Sequence, residues 1–318
     1  MKDVCPFGEN GNWYKGNLHS HSNVSDGKLK PEESVDLYKS NGYSFLAFSE
    51  HEVFTNWSKF NTKDFLIIPA IERGIYPRSS KCFHIHGIQG SKAFRENSSK
   101  KCLEHMDRTI PPEFKGKETV QTVINELRDS GNLVMFNHPN WSFNELDDFV
   151  DLEGYFALEI FNYGCEVEER NGLSTVYWDS LLRRGKRVWG IATDDNHNSN
   201  KFGEAKPSWD SLGGWVCLKS KELTQDAIAD ALLEGRFYSS SGPEIYDYGV
   251  KNGKVFVKCS PVEKIYFITE SHANSRMNSE GKTISSSTYE IIGRENYIRV
   301  ECVDKYGKIA WTNPIFIE

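Results

Sequence analysis

Short apolar runs recur along the first two thirds of the chain, and each ends in or contains polar, metal-competent side chains. The runs span roughly four to eight residues, the length of strands that are buried on both faces. This pattern predicts strands within SFLAFSEH (44–51), DFLIIPAIE (64–72), CFHIHGI (82–88), NLVMFNHP (132–139), YFALEIFNYG (155–164) and RVWGIATDDNH (187–197). An earlier run leads into the histidines of GNLHSHSNVSDG (16–27).

Helical patterns separate several of these runs. KPEESVDLYKSNG has Pro31 at a first turn and Gly42 as a stop signal. ETVQTVINELRDSGN has apolar residues at helical spacing and ends at Gly131, and STVYWDSLLRRGK ends at Gly185. Strands that alternate with helices predict an α/β fold with a parallel β/α barrel. In such barrels, functional side chains collect at the carboxyl ends of the strands, where these candidates lie.

The pattern changes after Trp215. One more helix is predicted at about 224–233, and from Ile245 onward the runs KVFVKC, KIYFIT, NYIRVECVD and PIFIE alternate, separated by Asn-Gly, Glu-Gly and Tyr-Gly turns. We therefore predict a hydrolase barrel at residues 1–243 and a small antiparallel, β-sandwich-like domain at 244–318, with a packing or substrate-capping role. The stretch 92–118 interrupts the barrel pattern as a long loop, either a lid or a disordered insertion.

Composition narrows the class of protein. The 318 residues include 38% apolar and 13% aromatic residues, enough for a sizeable core. A net charge of −7 excludes a general nucleic-acid binder, while an anionic substrate needs local cations such as metal ions. The seven cysteines form no Cys-x-x-Cys pair. Because the N-terminus lacks an apolar signal region and no run approaches the ~20 residues of a membrane span, we expect a cytoplasmic protein without membrane association.

Histidines and carboxylates at the ends of the runs form a candidate metal-ligand set. His19 and His21 are one residue apart, so in an extended segment their rings project to the same side. With the other runs, the candidate ligands are His19, His21, Asp26, His51, Glu72, His84, His138, Asp195 and His197. One ion takes about four to six such ligands, so nine fit two or three divalent ions, with Mn, Zn and Fe all compatible.

The motifs that carry these residues resemble those of the PHP (polymerase and histidinol phosphatase) superfamily. They are HSHSNVSDG, FSEHE, IPAIERG, FHIHGI, FNHP and ATDDNH. The resemblance implies a distorted (β/α)7 barrel with two or three metal ions. The segments FYSSSGP (237–243) and AWTNPI (310–315) resemble the CehA/McbA-like metallohydrolase subgroup, which appends a C-terminal β domain. The likeness covers roughly residues 13–318.

The resemblance also implies a distribution of ligands over three metal sites. The first is His19, His21, Glu72 and Asp195; the second is Glu72, His84 and His138; the third is Asp26, His51 and His197. Glu72 would bridge the first two ions.

Two positions allow alternatives. His84 fits the family's pattern better than His86, which shares its strand face and would contact a ligand or the substrate. Asp195 fits better than Asp194 because of the Asp-x-His spacing.

The chemistry expected of this set is phosphate ester hydrolysis. Clustered divalent ions lower the pKa of a bridging water, so that hydroxide forms near neutral pH, and they neutralise phosphate oxygens. The chain has neither a Gly-rich phosphate loop nor a GxSxG elbow, which excludes kinases and α/β-hydrolases. We therefore predict a metal-dependent phosphoesterase that acts on a small phosphomonoester or phosphodiester.

Helper residues are predicted around the metal ions. Arg73 follows Glu72 and would contact phosphate, and His105 in the 92–118 segment would serve as general acid. His51 and His197 would act as acid or base if the third ion is absent. Asn162 and Tyr163 follow a strand and would contact substrate.

Two other functions fit the same sequence. A hydrolase of carboxylic esters, carbamate esters or amides would use the same metal chemistry, and an aromatic cavity mouth built from Trp57, Trp141 or Trp209 would favour it. A non-catalytic binding module is disfavoured by the complete ligand set. The sequence leaves the oligomeric state open.

Overall fold

The computed structural model describes residues 2–8, 10–199, 209–271, 276–278 and 281–317. The helices are α1 (Pro31–Ser40), α2 (Lys92–Glu96), α3 (Lys117–Asp129), α4 (Leu146–Phe149), α5 (Tyr163–Glu169), α6 (Thr175–Arg183) and α7 (Gln225–Leu233), with a 3-10 turn at Ser58–Phe60. The first nine strands are β1 (Asn12–Asn17), β2 (Phe45–Phe48), β3 (Leu66–Ile75), β4 (Phe83–Gln89), β5 (Asn132–Phe136), β6 (Ala157–Asn162), β7 (Trp189–Thr193), β8 (Trp215–Ser220) and β9 (Phe237–Ser240). The other eight are β10 (Ile245–Lys251), β11 (Lys254–Val262), β12 (Lys264–Ile268), β13 (Arg276–Asn278), β14 (Ile284–Glu290), β15 (Tyr297–Val303), β16 (Ile309–Thr312) and β17 (Ile315–Phe316).

Strands β1 to β7 lie side by side in chain order. Neighbours are parallel, except that β4 runs antiparallel to both β3 and β5. The expectation of an all-parallel arrangement is therefore wrong at β4. The physical reason is the short β3–β4 connection at residues 76–82, which leaves no room for the crossover helix that parallel neighbours need. Reversal places the first residues of β4 beside the last residues of β3.

The two outer strands of this row meet at their carboxyl ends. Ser20 and Asn196 form a parallel bridge just beyond β1 and β7. The backbone N–H of His21 donates to the Asn196 carbonyl at 3.0 Å, and that of Asp195 donates to the His19 carbonyl at 2.9 Å. The first and last ligand-bearing segments are thus held together by backbone hydrogen bonds.

The predicted helices are confirmed as α1, α3, α6 and α7. At the start of α1, Pro31 takes the first position and the Glu33 carboxylate accepts from the Lys30 backbone N–H at 2.8 Å. Gly42 and Gly131, with φ of +78° and +82°, follow the ends of α1 and α3 in a conformation that disfavours other residues. The buried face of α3 is formed by Val120, Val123, Ile124 and Leu127.

The C-terminal strands extend the main sheet and add a second one. β8 pairs antiparallel with β1, and the sheet continues through β9, β16, β15, β12 and β13. Strands β10, β11 and β14 form a separate three-stranded antiparallel sheet. The chain therefore combines an α/β fold with a small separate antiparallel sheet. The boundary at 243/244 stays a prediction, since hydrogen bonding continues from β9 into β16.

The predicted insertion at 92–118 contains α2 and the start of α3. Between them, Met106 N–H donates to the Phe54 carbonyl at 3.3 Å and Thr109 N–H to the Glu52 carbonyl at 3.0 Å. The segment is thereby attached to the loop that follows β2, and its role as a lid stays a prediction. Within the described ranges, no helix combines the length and apolar character required to span a membrane.

Candidate metal centre

Glu72 on β3 is the centre of the site. Its side chain is fully buried, and backbone hydrogen bonds with Glu50 and Glu52 align the end of β2 beside it. Five histidine rings approach its carboxylate. The distances are 3.2 Å from His19 Nε2, 3.4 Å from His21 Nε2, 3.0 Å from His51 Nδ1, 3.2 Å from His84 Nδ1 and 3.4 Å from His138 Nε2.

The first ligand cluster consists of His19, His21, Glu72 and Asp195. Asp195 Oδ1 lies 3.0 Å from the Nε2 atoms of both histidines, and these two nitrogens are 3.2 Å apart. The segments after β1 and β7 bring these side chains to the end of β3. The structure thus assembles the four residues expected at the first metal.

Two further clusters overlap with the first. One contains His51, Glu72 and His84, and the other contains His21, Asp26, His51 and His197. His51 belongs to both, because its Nδ1 faces Glu72 while its Nε2 lies 3.7 Å from Asp26 Oδ2. His138 lies beside the second cluster through its contact with Glu72. All nine predicted ligands therefore surround one centre.

Several buried atoms of the centre have close polar neighbours among the described residues but no partner in hydrogen-bonding orientation. They are His51 Nδ1, Glu72 Oε2, His84 Nδ1 and Asp195 Oδ1. His51 Nδ1 and Glu72 Oε2 are 3.0 Å apart, yet their orientation does not form a hydrogen bond. A buried polar atom without a partner costs about 1–3 kcal/mol. Three of the four belong to the cluster of His51, Glu72 and His84, and Asp195 belongs to the first cluster, so they fit cations at these two clusters. The donors, all imidazole nitrogen or carboxylate oxygen, suit Mn, Zn or Fe.

The electrostatics of the centre couple protons to cation binding. Burial disfavours the charged form of His21, but the adjacent carboxylates of Asp195 and Glu72, 3.0 and 3.4 Å from its Nε2, raise its pKa to about 10. Burial opposes ionisation of Glu72 and Asp195 as well, yet the histidines, His19 foremost, hold both carboxyl pKa values well below the ordinary range. The pKa values of His19 and His138 are raised as well, so without a cation protons on these three histidines balance the carboxylates. A bound metal ion replaces those protons.

Glu159 on β6 supports the first cluster and was given no role from the sequence. Its Oε1 lies 2.8 Å from His19 Nδ1, and its Oε2 accepts the His138 backbone N–H at 2.8 Å. An Nδ1–H that donates to Glu159 leaves the Nε2 lone pair of His19 facing the cluster. The one available signal was an acidic residue within the apolar run YFALEIFNYG.

Asn162 holds Asp195 rather than facing the cavity. Its Nδ2 donates to Asp195 Oδ2 at 2.9 Å, and its Oδ1 accepts from the Cys165 N–H at the start of α5. Asp195 has a φ of +51°, a conformation that a non-glycine residue adopts at an energetic cost. Asp194 points away from the centre, because its carboxylate accepts from the Tyr38 hydroxyl at 2.7 Å and from three backbone N–H groups at 212–214.

The two histidines of β4 occupy different environments. His84 Nδ1 faces Glu72, whereas His86 Nδ1 lies 3.3 Å from Asn137 Nδ2. The same amide nitrogen donates to Glu72 Oε1 at 2.6 Å. His86 thus contacts a neighbour of the central carboxylate, and the described ligand clusters contain His84.

The centre forms the floor of a cavity of about 520 Å³. Among the described residues that line it, Lys28 is the one cationic side chain, and Tyr76 and Trp141 are its aromatic side chains. His51 and His197 are its more accessible rings, with side-chain exposures of 24% and 26%.

Other predicted helpers lie away from this cavity. Arg73 Nε donates to Glu52 Oε2 at 2.6 Å, so its guanidinium is engaged in a largely buried ion pair. His105 is 69% exposed and faces Asp107 at 3.6 Å. Neither residue, nor Tyr163, Trp57 or Trp209, belongs to the described lining. The strand geometry carries Arg73 outward because side chains alternate along β3 and Glu72 points inward.

Comparisons with known proteins give structural likeness only. No family model matches the chain, and no curated protein matches it. Similar solved structures include a two-domain Bacteroides vulgatus protein containing a predicted PHP-like metal-dependent phosphoesterase, with 15% identity, a TM-score of 0.47 and 96% of both chains covered.

Two further structures share part of the chain. A Bifidobacterium adolescentis protein to which metal-dependent phosphoesterase activity is attributed has 14% identity and a TM-score of 0.42, over 69% of this chain and 96% of its own. A Chromobacterium violaceum amidohydrolase with bound sulfate and no metal has 13% identity and a TM-score of 0.41, over 57% and 87%. At these identities and scores, the functional conclusion depends on the site itself.

Proposed function

We propose that this protein is a metal-dependent hydrolase that cleaves small phosphomonoesters or phosphodiesters. The observation that carries the proposal is the convergence of five histidine rings on the buried Glu72 carboxylate at the floor of a cavity. The proposal includes a PHP-type (β/α)7 barrel, two or three ions of Mn, Zn or Fe, a small-molecule substrate and a cytoplasmic location.

The residues divide into those that hold the ions and those that orient the ligands. His19, His21, Glu72 and Asp195 would hold one ion, and the clusters that share His51 would hold the others. Divalent ions at these positions supply Lewis acidity and lower the pKa of water to near neutrality.

A contact at Nδ1 orients the His197 ring. Its Nδ1 lies 3.0 Å from the Asp195 carbonyl, which accepts a hydrogen bond from the Nδ1–H group, and its Nε2 faces Asp26 at 3.4 Å. If the third ion is absent, the accessible Nε2 of His197 is free of metal and would serve as general base or acid at the cavity.

With divalent ions at the ligand clusters, the cavity would suit an anionic substrate, although Asp26, Glu168 and Asp210 also line it. A covalent route through a thiol is disfavoured. Lys28 is exposed at the rim beside His197, whose carbonyl accepts the Lys28 backbone N–H at 2.8 Å. Cys82 also lines the cavity, but burial raises the pKa of its thiol and keeps it protonated. A water nucleophile, which needs no protein side chain, fits this lining best.

A hydrolase of carboxylic esters, carbamate esters or amides is the second candidate. The side chains of Tyr76 and Trp141 give the cavity an aromatic portion, which suits an uncharged substrate as well. The same ligand clusters would serve both reactions. A non-catalytic binding module has less support because the candidate ligand set is complete.

We also propose membership of the CehA/McbA-like subgroup. The two segments that suggested it are hydrogen-bonded neighbours: Ser239 and Ser240 of β9 pair with Trp311 and Ala310 of β16. The C-terminal β domain at 244–318 is part of this proposal.

Initial rates on two substrates test the phosphoesterase proposal. The purified protein with added Mn²⁺ is given an aryl phosphomonoester and the corresponding phosphodiester, and bound metal is quantified. We expect hydrolysis of at least one substrate and a loss of about a hundredfold or more in His138→Ala, which removes a ring at the central carboxylate. If metal-loaded protein hydrolyses neither substrate, the phosphoesterase proposal is rejected. Carboxylic esters, carbamate esters and amides are then the substrates to test.

A further inference from the structure

Two aromatic side chains line one side of the cavity, and we name this pair, Tyr76 and Trp141, the aromatic wall. The Tyr76 ring lies 5.8 Å from the His84 ring and the Trp141 ring lies 6.1 Å from it, centroid to centroid. Trp141 also meets His138 edge to face at 5.0 Å. The aromatic wall therefore borders the part of the centre built by His84 and His138.

The position of Tyr76 depends on a glycine of β3. A Cβ atom at Gly74 would lie 2.4 to 2.7 Å from the Tyr76 ring and hydroxyl, so the ring packs against bare backbone. The Tyr76 hydroxyl lies 3.4 Å from His84 Nε2, yet the residue remains 53% exposed. An aromatic ring that is held in place but half uncovered gains free energy when a ligand covers it.

The other side of the cavity is ionic. Asp26, Lys28, His197 and Asp210 line it, and Asp210 accepts the His197 backbone N–H at 2.8 Å. Ring contacts give the order of the histidines between the two: His84 lies beside the aromatic wall, the His51 ring lies 5.4 Å from that of His84, and the His197 ring lies 5.9 Å from that of His51. The cavity thus has an aromatic end and a charged end. A substrate with one aromatic and one charged end would fit along it.

From this division, and resting on the proposed function, we propose that the substrate is a phosphate ester whose leaving alcohol carries an aromatic ring. The ring stacks on the aromatic wall while the phosphoryl group lies at the ligand clusters, with Lys28 on its far side. In the reaction, a water oxygen joins phosphorus, the bond between phosphorus and the ester oxygen breaks, and the ring-bearing alcohol leaves with a proton from the water. Tyr76 and Trp141 thereby determine specificity.

Benzyl phosphate and ethyl phosphate separate ring recognition from leaving-group chemistry, because both release an alkyl alcohol of similar acidity. With Mn²⁺-loaded protein we expect kcat/KM to be at least about tenfold higher for benzyl phosphate, since aromatic stacking is a sizeable binding term. Tyr76→Leu should bring this ratio most of the way to one. Gly74→Ala should act in the same direction by displacing the ring.

Control measurements separate specificity from damage to the metal centre. Because Trp141 contacts His138, the metal content of the Trp141→Leu variant is measured alongside that of the Tyr76→Leu variant. Trp57→Leu removes an aromatic residue outside the described lining and should preserve the ratio. Equilibrium dialysis with benzylphosphonate and ethylphosphonate, which cannot be hydrolysed, should show the same preference in binding.

Three results would overturn the inference. Equal kcat/KM for the two esters, or a ratio that Tyr76→Leu leaves unchanged, would reject recognition of the ring by the aromatic wall. The proposed phosphoesterase function would remain supported. Hydrolysis of neither ester by metal-loaded protein would reject the proposed function together with this substrate class. The rate pattern therefore distinguishes the two failures.

Discussion

Glu159→Gln tests whether a buried carboxylate behind the ligands controls metal binding. Glu159 is fully buried, and each of its oxygens has two partners. Oε1 faces His19 Nδ1 and the Thr193 hydroxyl at 2.8 and 2.5 Å, and Oε2 accepts from the His138 N–H and Asn162 Nδ2 at 2.8 and 3.0 Å. A glutamine has nearly the same shape but offers one oxygen and one NH₂ group.

The hydrogen-bond partners of Glu159 determine which position the glutamine oxygen takes and which the NH₂ group takes. The His138 N–H and Asn162 Nδ2 are obligate donors, so the glutamine oxygen must take their side. Its NH₂ group then faces His19 Nδ1, which must accept, and the ring proton moves to Nε2. A protonated Nε2 cannot bind a cation. Loss of such a partner typically lowers metal affinity 10- to 100-fold, which corresponds to about 1.4–2.8 kcal/mol.

Competition with a chromophoric chelator measures the affinity for Mn²⁺ and Zn²⁺, and elemental analysis gives the stoichiometry. Thr193→Val is the matched control, because it removes a hydrogen bond to the same oxygen and keeps the carboxylate charge. We expect a change below about threefold for this control. If Glu159→Gln also stays within threefold of the wild type with unchanged stoichiometry, the argument from the His19 tautomer is refuted.

Two further predictions concern pH and stability. Because the neighbouring carboxylates raise the pKa of His21 to about 10 in the metal-free protein, metal must displace its proton. Affinity should therefore increase about tenfold per pH unit for each proton released between pH 6 and 8, and chelator competition that shows no pH dependence would contradict this. Arg299→Ala should lower the free energy of unfolding by about 3–5 kcal/mol, because Arg299 is buried and binds Asp179 through two 2.8 Å contacts. Urea unfolding measures this, with the exposed Lys258→Ala as a control expected to change stability by less than about 1 kcal/mol; equal losses would contradict the prediction.

The parts of the fold that follow from local patterns could be predicted from the sequence. Buried strands appear as apolar runs, and helix limits are marked by Pro31 and by the glycines after α1, α3 and α6. The nine candidate ligands could be predicted for the same reason, since His84 lies within such a run and the others follow or end one. The residue types alone show that their ligand atoms are nitrogen or oxygen. The ends of adjacent strands then bring these atoms together.

Features that depend on long-range partners could not be read this way. The reversed β4 follows from a short connection, but its apolar run looks like that of a parallel strand. Arg73 was expected at the cavity because it follows Glu72, whereas strand alternation directs it to Glu52. Glu159 has no local motif, and its role exists only because β6 lies behind the segments of His19 and His138.

The C-terminal strands contribute to the position of the ligands after β7. β7 is the last strand of the seven, and its outer edge has backbone groups that require partners. The Ser239 hydroxyl donates to the Gly190 carbonyl at 2.7 Å and accepts the Ala192 N–H at 3.0 Å, while Asn313 Oδ1 accepts the Gly190 N–H at 3.0 Å. Side chains of β9 and of the residue after β16 thus satisfy the edge of β7. Since Asp195 and His197 follow this strand directly, the C-terminal strands stabilise the geometry of the metal centre without entering the cavity.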